Sequence, residues 1–369
     1  MHKPADNRLL WAVNLGHMTN DVFMSMRAVL LAFISAAIMP LANWQIGLAI
    51  SAGELVGAVS QPVFGWLADK TGGRWLGAGG VVWTASGIML AMLVVAAGGG
   101  FWLMLIPLAL AALGSGAFHP VGSLYAANVN PARSARNAAF FFMFGQLGLG
   151  LGPALAGLLL ENARPAQSLF GPVFQTIAWE RGSISPIFVL LLLVFPAAVL
   201  MALTIPNRRD HVAQMPVKTI AAPTERAAIP VLPFVILLLA VSLRSLANPA
   251  IVSFIPQMFQ QKGWTPSQYG LLTSAFWVAS GIAGIIFGYI GDRFDLRRVV
   301  MVSVVIAVPG IFLLPGLDGA PAFALAILVG AMSGSHSLIV VLAQSLLPGR
   351  MGLASGIILG LIFCDGRGG

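Results

Sequence analysis

The chain is poor in the residues from which soluble enzymes build their sites. It has one cysteine, Cys364, five histidines and twelve acidic residues among 369, and only 9% of its residues are charged. One cysteine permits no disulfide within the chain and no site made of several thiolates. The sequence also lacks His-Glu-x-x-His, a glycine-rich phosphate loop and a Gly-x-Ser-x-Gly turn. These absences argue against an enzyme, and neither a cofactor nor a metal site is predicted.

Apolar residues are abundant instead. They make up 58% of the chain, and the mean hydropathy is +0.90, which predicts an all-α integral membrane protein. Lysine and arginine give a net charge of +8, but they lie in short loops between apolar runs, where they orient helices. We therefore predict a lipid bilayer and no nucleic acid as partner. At about 20 apolar residues per span, ten spans and a stub are predicted, at 10–39, 45–68, 76–98, 101–127, 138–160, 186–205, 231–257, 267–291, 299–316, 321–346 and 351–364.

The distribution of positive charge predicts the orientation. With a cytoplasmic N-terminus, fourteen Lys and Arg residues fall on the cytoplasmic side, and only Arg164, Arg181 and Lys262 fall on the other. This bias favours a multi-pass protein of the cell membrane with its N-terminus inside. The apolar stretch that follows Arg8 is much longer than the core of a signal peptide, so it is interpreted as a retained first helix.

The chain divides into two halves. Residues 206–229 are polar, basic and contain proline, which predicts a cytoplasmic linker between a first half, 1–205, and a second half, 230–369. A shift of 223 positions aligns residues 47–69 with 270–292 without a gap and matches seven residues. Parallel repeats of this kind are typical of transporters that rock about a site near the bilayer midplane.

The first predicted span carries polar residues that are costly in a bilayer. An ionised group at the bilayer centre costs about 2.5 to 3.5 kcal/mol on insertion scales. His17 and Asp21 are four residues apart and share one helix face, with Asn20 beside them. Burial favours the neutral carboxyl and a neighbouring cation favours the carboxylate, a balance that suits a proton carrier. We predict Asp21 as the proton carrier and His17 as the residue that tunes it. The alternative is that Asp21 only pairs with a cation to hold helices together.

Three further polar residues fall in the fourth, seventh and tenth spans. Arg244 is a candidate for binding an anion or for pairing with Asp21, since guanidinium donates hydrogen bonds and stays charged. His119 and His336 are candidates for substrate binding, or are equally histidines packed with satisfied hydrogen bonds.

Two charged residues are secondary candidates. Arg27 lies six residues after Asp21, roughly 120° around the helix, and is predicted either to face a neighbouring helix or to extend toward the membrane surface. If it lines the central site, it is a candidate for substrate binding. Glu54, in the second span, has no evident partner in the sequence and is an alternative proton carrier.

The segment GWLADKTGGR, residues 65–74, resembles the signature loop of the major facilitator superfamily, and GYIGDRFDLRR, residues 288–298, resembles its second copy. The resemblance implies two six-helix halves whose helices 1, 4, 7 and 10 line a central cavity. The charged residues occur in both loops, and this paired occurrence predicts that they latch a cytoplasmic gate; the alternative is that Asp69 and Asp292 only cap or solvate helix ends. The candidates are Asp69, Arg74, Asp292 and Arg293.

Shorter motifs are similar to those of fosmidomycin-resistance-type drug/proton antiporters. They are GHMTND, GSGAFHPVGSLYAA and LAQSLLPGRMGLASGIILG. That group often carries Glu after its Phe-His-Pro, where this chain has Val121. If that Glu carries protons in the group, this chain either lacks the function or performs it with another residue. GQLGLGLGPALAG, residues 145–157, resembles the antiporter pattern of the fifth helix and favours export, although generic helix packing explains it equally well.

The resemblance implies a monomeric carrier that exports a small anionic or drug-like molecule in exchange for protons. Proton-coupled uptake is the alternative, and a non-transporting, truncated or sensor-like membrane protein is an alternative of another class. Residues 351–364 form only about 21 Å of helix, less than the ~30 Å core. Helix 11 is therefore expected to be cut short and helix 12 to be missing.

Overall fold

The computed structural model describes residues 7–130, 133–161, 183–206, 239, 252–291, 293–335, 338–339 and 342. All regular structure in these residues is helical. The helices are α1 (Asn7–Ala37), α2 (Asn43–Thr71), α3 (Arg74–Ala96), α4 (Phe101–Asn128), α5 (Ser134–Glu161), α6 (Leu191–Thr204), α7 (Pro266–Gly291), α8 (Leu296–Leu313) and α9 (Gly319–Ser333). Short 3₁₀ segments, Ser185–Leu190 and Leu314–Gly316, precede α6 and follow α8, and residues 252–261 are also helical.

The predicted all-α membrane architecture is confirmed. Eight helices in the described part of the chain are long and apolar enough to cross a bilayer. They coincide with eight of the predicted spans to within a few residues, because each apolar run ends at glycine, proline or polar residues. At α8, for example, the Asp295 carboxylate accepts a hydrogen bond of 3.0 Å from Arg298 N and caps the helix.

The described part of the predicted span at 321–346 contains a turn. Helix α9 ends at Ser333, and a turn follows. Gly334 N donates to Ala331 O, three residues earlier, at 3.0 Å, and bonds of this spacing tighten the chain and end a regular α-helix. Gly334 also lies against α7, where a methyl carbon would stand 2.5 Å from Ser280 O. Close packing on α7 therefore coincides with the break.

The chain forms two compact units, and the first contains the described residues up to 206 together with Ser253–Ser274. Helix α1 is its centre and is buried on most sides by α5, α4, α3 and α6. Small residues permit close helix approach elsewhere in the unit. Gly80 of α3 faces Gly114 of α4, where a methyl carbon on Gly80 would lie 2.6 Å from Gly114 O.

A row of glycines holds α5 against α1. Side chains at Gly148 and Gly152 would meet the carbonyl oxygens of Met18 and Val22. The 145–157 segment was interpreted either as an antiporter pattern or as generic helix packing. This contact supports helix packing as the reason for its small residues. It places α5 directly on the part of α1 that carries the polar residues.

The second unit contains Leu239, Val252 and the described residues from Ala275 onward. Gly330 of α9 lies against the backbone of Phe276 in α7. Helix α8 also packs on α9, and Ser303 of α8 shares a 2.8 Å hydrogen bond with Ser335. Ala283, Phe287 and Leu338 form a small apolar cluster in this unit.

Candidate functional site

The polar residues of α1 meet at Asp21. Asp21 is 3% exposed, and His17, one helical turn earlier, is fully buried. His17 Nε2 lies 3.3 Å from Asp21 Oδ2, so these two side chains, which were predicted to share one helix face, are in contact.

A third ionisable residue comes from α4. His119 Nε2 lies 3.7 Å from Asp21 Oδ1, and the two imidazole rings are 5.0 Å apart, edge to face. One ligand atom from each of the three residues lies within 4.8 Å of the others, close enough to surround one small cation. Sequence spacing did not reveal this arrangement, because His119 is distant from α1 in the chain. We call His17, Asp21 and His119 the Asp21 group.

Backbone carbonyls orient both imidazoles. His17 Nδ1 lies 2.8 Å from Phe141 O on α5, and His119 Nδ1 lies 2.9 Å from Ser115 O on α4. The Phe141 carbonyl oxygen only accepts hydrogen bonds, so His17 Nδ1 carries the hydrogen, and Nε2 of a neutral His17 ring faces Asp21 with a lone pair. An ionised Asp21 would present only acceptors as well. Without a proton on one of the two atoms, the 3.3 Å contact between His17 Nε2 and Asp21 Oδ2 therefore has no donor. His119 Nδ1 also lies 3.1 Å from the hydroxyl oxygen of Ser115, which can donate or accept, so the contacts of His119 fit either tautomer.

Neutral polar side chains fix the carboxylate from the other side. Asn20 Nδ2 donates to Asp21 Oδ1 at 2.9 Å and to Ser115 Oγ at 3.1 Å. Thr84 Oγ1, from α3, donates to Asn20 Oδ1 at 3.0 Å. The amide of Asn20, a predicted substrate ligand, thus bonds to protein groups at both its oxygen and its nitrogen. The network joins α1, α3 and α4, and buried networks of this kind restrict their members to one geometry.

Sequence reasoning did not identify several members of this network. Ser115 lies four residues before His119 on α4, a spacing that places both on one helix face and could have identified it. Thr84 and the Phe141 carbonyl have no comparable signal, because their contacts depend on how α3 and α5 pack against α1.

A separate buried ion pair joins α1 to α2. Arg27 Nη2 lies 2.6 Å from Glu54 Oε1, and Arg27 Nε donates to Met24 O at 2.8 Å. Arg27 is 6% exposed, so it faces a neighbouring helix, and the prediction that it extends toward the membrane surface is wrong. Glu54, which had no evident partner in the sequence, balances the charge of Arg27. The pair therefore adds no net charge to the interior of the first unit.

The predicted gating residues have different environments. Arg74, at the start of α3, donates from Nε to Ile205 O at 2.7 Å and so ties α3 to the end of α6. Arg293 is exposed. Asp69 belongs to the backbone of α2, but its side chain lies outside the described residues, as do Arg244, Asp292 and His336.

Eight apolar helices of spanning length in the described residues, with ionisable side chains buried among them, define an integral membrane protein with a polar site among its helices. Comparison with known families then assigns the chain, since the model of the Major Facilitator Superfamily matches residues 14–358. The protein belongs to this superfamily. Its members are carriers and not enzymes, so the chain is a multi-pass membrane transporter of small molecules.

Two relatives match almost the whole chain. The fosmidomycin resistance protein of Escherichia coli (strain K12) is 28% identical over 363 residues, which cover 98% of this chain and 84% of the relative. An uncharacterized MFS-type transporter of Bacillus subtilis (strain 168), YfnC, is 27% identical over 359 residues, with coverages of 96% and 83%.

Solved structures show the same fold. A bacterial homologue of the human lysosomal transporter Spinster, in an inward-facing conformation, matches with a TM-score of 0.72 at 16% identity, covering 100% of this chain and 81% of that one. A D-xylose-proton symporter matches with a TM-score of 0.68 at 14% identity, with coverages of 98% and 88%. At such identities the likeness supports the fold alone.

Proposed function

We propose that the protein is a proton-coupled exporter of a small anionic or drug-like molecule, in which the Asp21 group carries the proton. The observation that supports this most strongly is the convergence of His17 Nε2 and His119 Nε2 on the Asp21 carboxylate inside the membrane. A buried carboxylate at such depth is costly unless it is paired or protonated. Of the two roles predicted for Asp21, this surrounding by imidazoles favours proton transfer over a purely structural ion pair.

The proposed cycle follows from the hydrogen-bond inventory. When the group holds its proton, the carboxyl and the imidazoles attract one another and α1 remains packed on α4 and α5. When the proton leaves, the carboxylate keeps the hydrogen bond from Asn20 but faces the lone pair of His17 Nε2, and this repulsion favours the alternative state of the carrier. Exchange of that proton for substrate couples the two movements, so that proton entry drives export. Proton-coupled uptake is the competing direction, and it would use the same residues.

The substrate proposal rests on similarity and on the remaining basic residues. The relative in Escherichia coli is named for resistance to fosmidomycin, a phosphonate. We propose Arg244 and His336, in the second half, as groups that bind the anion, since guanidinium matches such groups with paired hydrogen bonds. Arg27 is a weaker candidate because Glu54 occupies its Nη2. We further propose that the carrier acts as a monomer in the inner membrane.

Export is tested by drug tolerance in a host that lacks its own exporters. Cells producing the protein should tolerate more fosmidomycin than empty cells, and a proton uncoupler should raise drug accumulation. Asp21→Asn removes the ionisable carboxyl and should abolish the tolerance. Asp318→Asn is the matched control, because Asp318 is an exposed helix cap and Asn caps equally well.

Three outcomes would contradict the proposal in different ways. Tolerance retained by Asp21→Asn would exclude Asp21 as the carrier and leave Glu54 to be tested. Protection against cationic dyes but not against fosmidomycin would exclude the anionic substrate. Accumulation that falls on uncoupling would indicate uptake instead of export.

A further inference from the structure

We infer that Gly145 is a positioning residue for His17. Its missing side chain lets the imidazole lie flat on α5, and this fixes which ring nitrogen faces Asp21. The inference rests on the proposed function, in which His17 takes part in proton transfer, but it concerns a residue outside the Asp21 group.

The His17 ring lies in a slot on α5. The ring stacks on that of Phe141, with centroids 4.0 Å apart and an angle of 28° between the planes, while His17 Nδ1 bonds to the carbonyl of the same residue at 2.8 Å. Gly145 follows Phe141 by one helical turn, so both lie on the same face of α5. We call Phe141 and Gly145 the His17 slot.

The slot exists only because position 145 has no side chain. A methyl carbon there would lie 2.5 Å from both Cε1 and Nε2 of His17, and 3.0 Å from Nδ1. These are the three nearest atoms to that position, and all belong to the imidazole. Contacts this short are excluded by van der Waals repulsion. Adding a methyl group must therefore displace the ring, including the nitrogen that faces Asp21.

The neighbouring glycines of α5 have a different function. At Gly148 and Gly152 the nearest atoms include the carbonyl oxygens of Met18 and Val22, which belong to the backbone of α1. Those two positions set the distance between the helices. Gly145 faces a side chain instead, so its effect should pass through His17 and not through the helix backbone.

Displacement of the ring has a chemical consequence. The titratable groups that the described structure places against His17 are Asp21, from its own helix, and His119, from α4. Helix α5 contributes the Phe141 carbonyl, which holds the hydrogen on Nδ1. A ring pushed out of the slot loses that carbonyl, so the hydrogen can move to Nε2. His17 Nε2 would then face Asp21 as a hydrogen-bond donor and no longer as a lone pair.

The tautomer can be measured without any transport. Solid-state ¹⁵N NMR of the histidine-labelled protein in lipid bilayers distinguishes Nδ1–H from Nε2–H, and His17→Gln identifies the His17 signals among the five histidines. At alkaline pH, wild type should show His17 with the hydrogen on Nδ1, and Gly145→Ala should show a mixture or the opposite tautomer. Gly79→Ala is the control, because nothing lies within 4 Å of that position. An unchanged His17 spectrum in Gly145→Ala would overturn the inference.

A double variant covers the case in which Gly145→Ala does not fold. His17→Ala removes the clashing ring, so His17→Ala/Gly145→Ala should fold as well as His17→Ala alone. Failure of the double variant where His17→Ala folds would show that the backbone requires Gly145, and the inference would fall.

Transport separates this inference from the proposed function. Gly145→Ala should lower proton-driven fosmidomycin export at least tenfold, and it should have no further effect in a His17→Ala background. If wild type exports nothing while the tautomer still changes in Gly145→Ala, the positioning role stands and the proposed function fails. If wild type exports the drug and the His17 tautomer is unchanged in Gly145→Ala, the proposed function stands and the positioning role of Gly145 fails.

Discussion

At the scale of single residues, the first unit separates its buried charges into two sites on α1. Asp21 is surrounded by histidines that can gain or lose a proton, whereas Arg27 is paired with Glu54 at 2.6 Å. Arginine does not deprotonate in proteins, so the second pair holds a fixed charge. We therefore interpret the Arg27–Glu54 pair as structural.

The structural role of this pair can be measured by stability. Arg27→Gln leaves the Glu54 carboxylate buried without its partner, and such losses cost about 3 to 5 kcal/mol. We expect a marked fall in the unfolding midpoint in detergent. Arg27→Met/Glu54→Leu removes both charges and should recover most of that loss, while Arg136→Gln, at an exposed position of α5, serves as a neutral control. Equal stability of Arg27→Gln and wild type would contradict a structural pair.

At the scale of helices, α5 packs against both α1 and the start of α7. Gly148 and Gly152 hold it against α1, and further along Gly157 lies against the backbone of Pro266 at the start of α7. At its end, Glu161 Oε2 accepts a hydrogen bond of 2.7 Å from Ser267 N in the first turn of α7. One helix therefore contacts both the Asp21 site and the start of α7 within the first unit.

The sequence predicted the helices better than their partners. Apolar runs of membrane length located eight spans, and the four-residue spacing of His17 and Asp21 placed them on one face. It could not place His119 beside Asp21 or pair Arg27 with Glu54, because these contacts depend on how separate helices pack. The turn at Gly334 was missed for the same reason. The sequence around it is apolar and is typical of a continuous helix, whereas its contact with α7 is visible only in the structure.

At the scale of the whole molecule, the charge distribution predicts which ends of the helices face the cytoplasm. With a cytoplasmic N-terminus, the turn between α3 and α4 lies outside and the end of α4 lies inside. In a Cys364→Ser background, a membrane-impermeant thiol reagent added to cells should label Ala97→Cys but not Asn128→Cys, both at exposed positions. Permeabilised cells provide the control, since both variants should then react. Labelling of Asn128→Cys alone in intact cells would reverse the topology.

Coupling of proton and substrate movement through Asp21 is tested most directly in proteoliposomes that contain a pH-sensitive dye. A fosmidomycin gradient across the membrane should drive protons in the opposite direction through the wild-type protein. Asp21→Asn should move no protons while still exchanging labelled fosmidomycin for unlabelled drug, because the substrate site remains and the carboxyl is lost. Two results would contradict coupling through Asp21. One is that Asp21→Asn moves as many protons as wild type, and the other is that wild type moves fosmidomycin without moving protons.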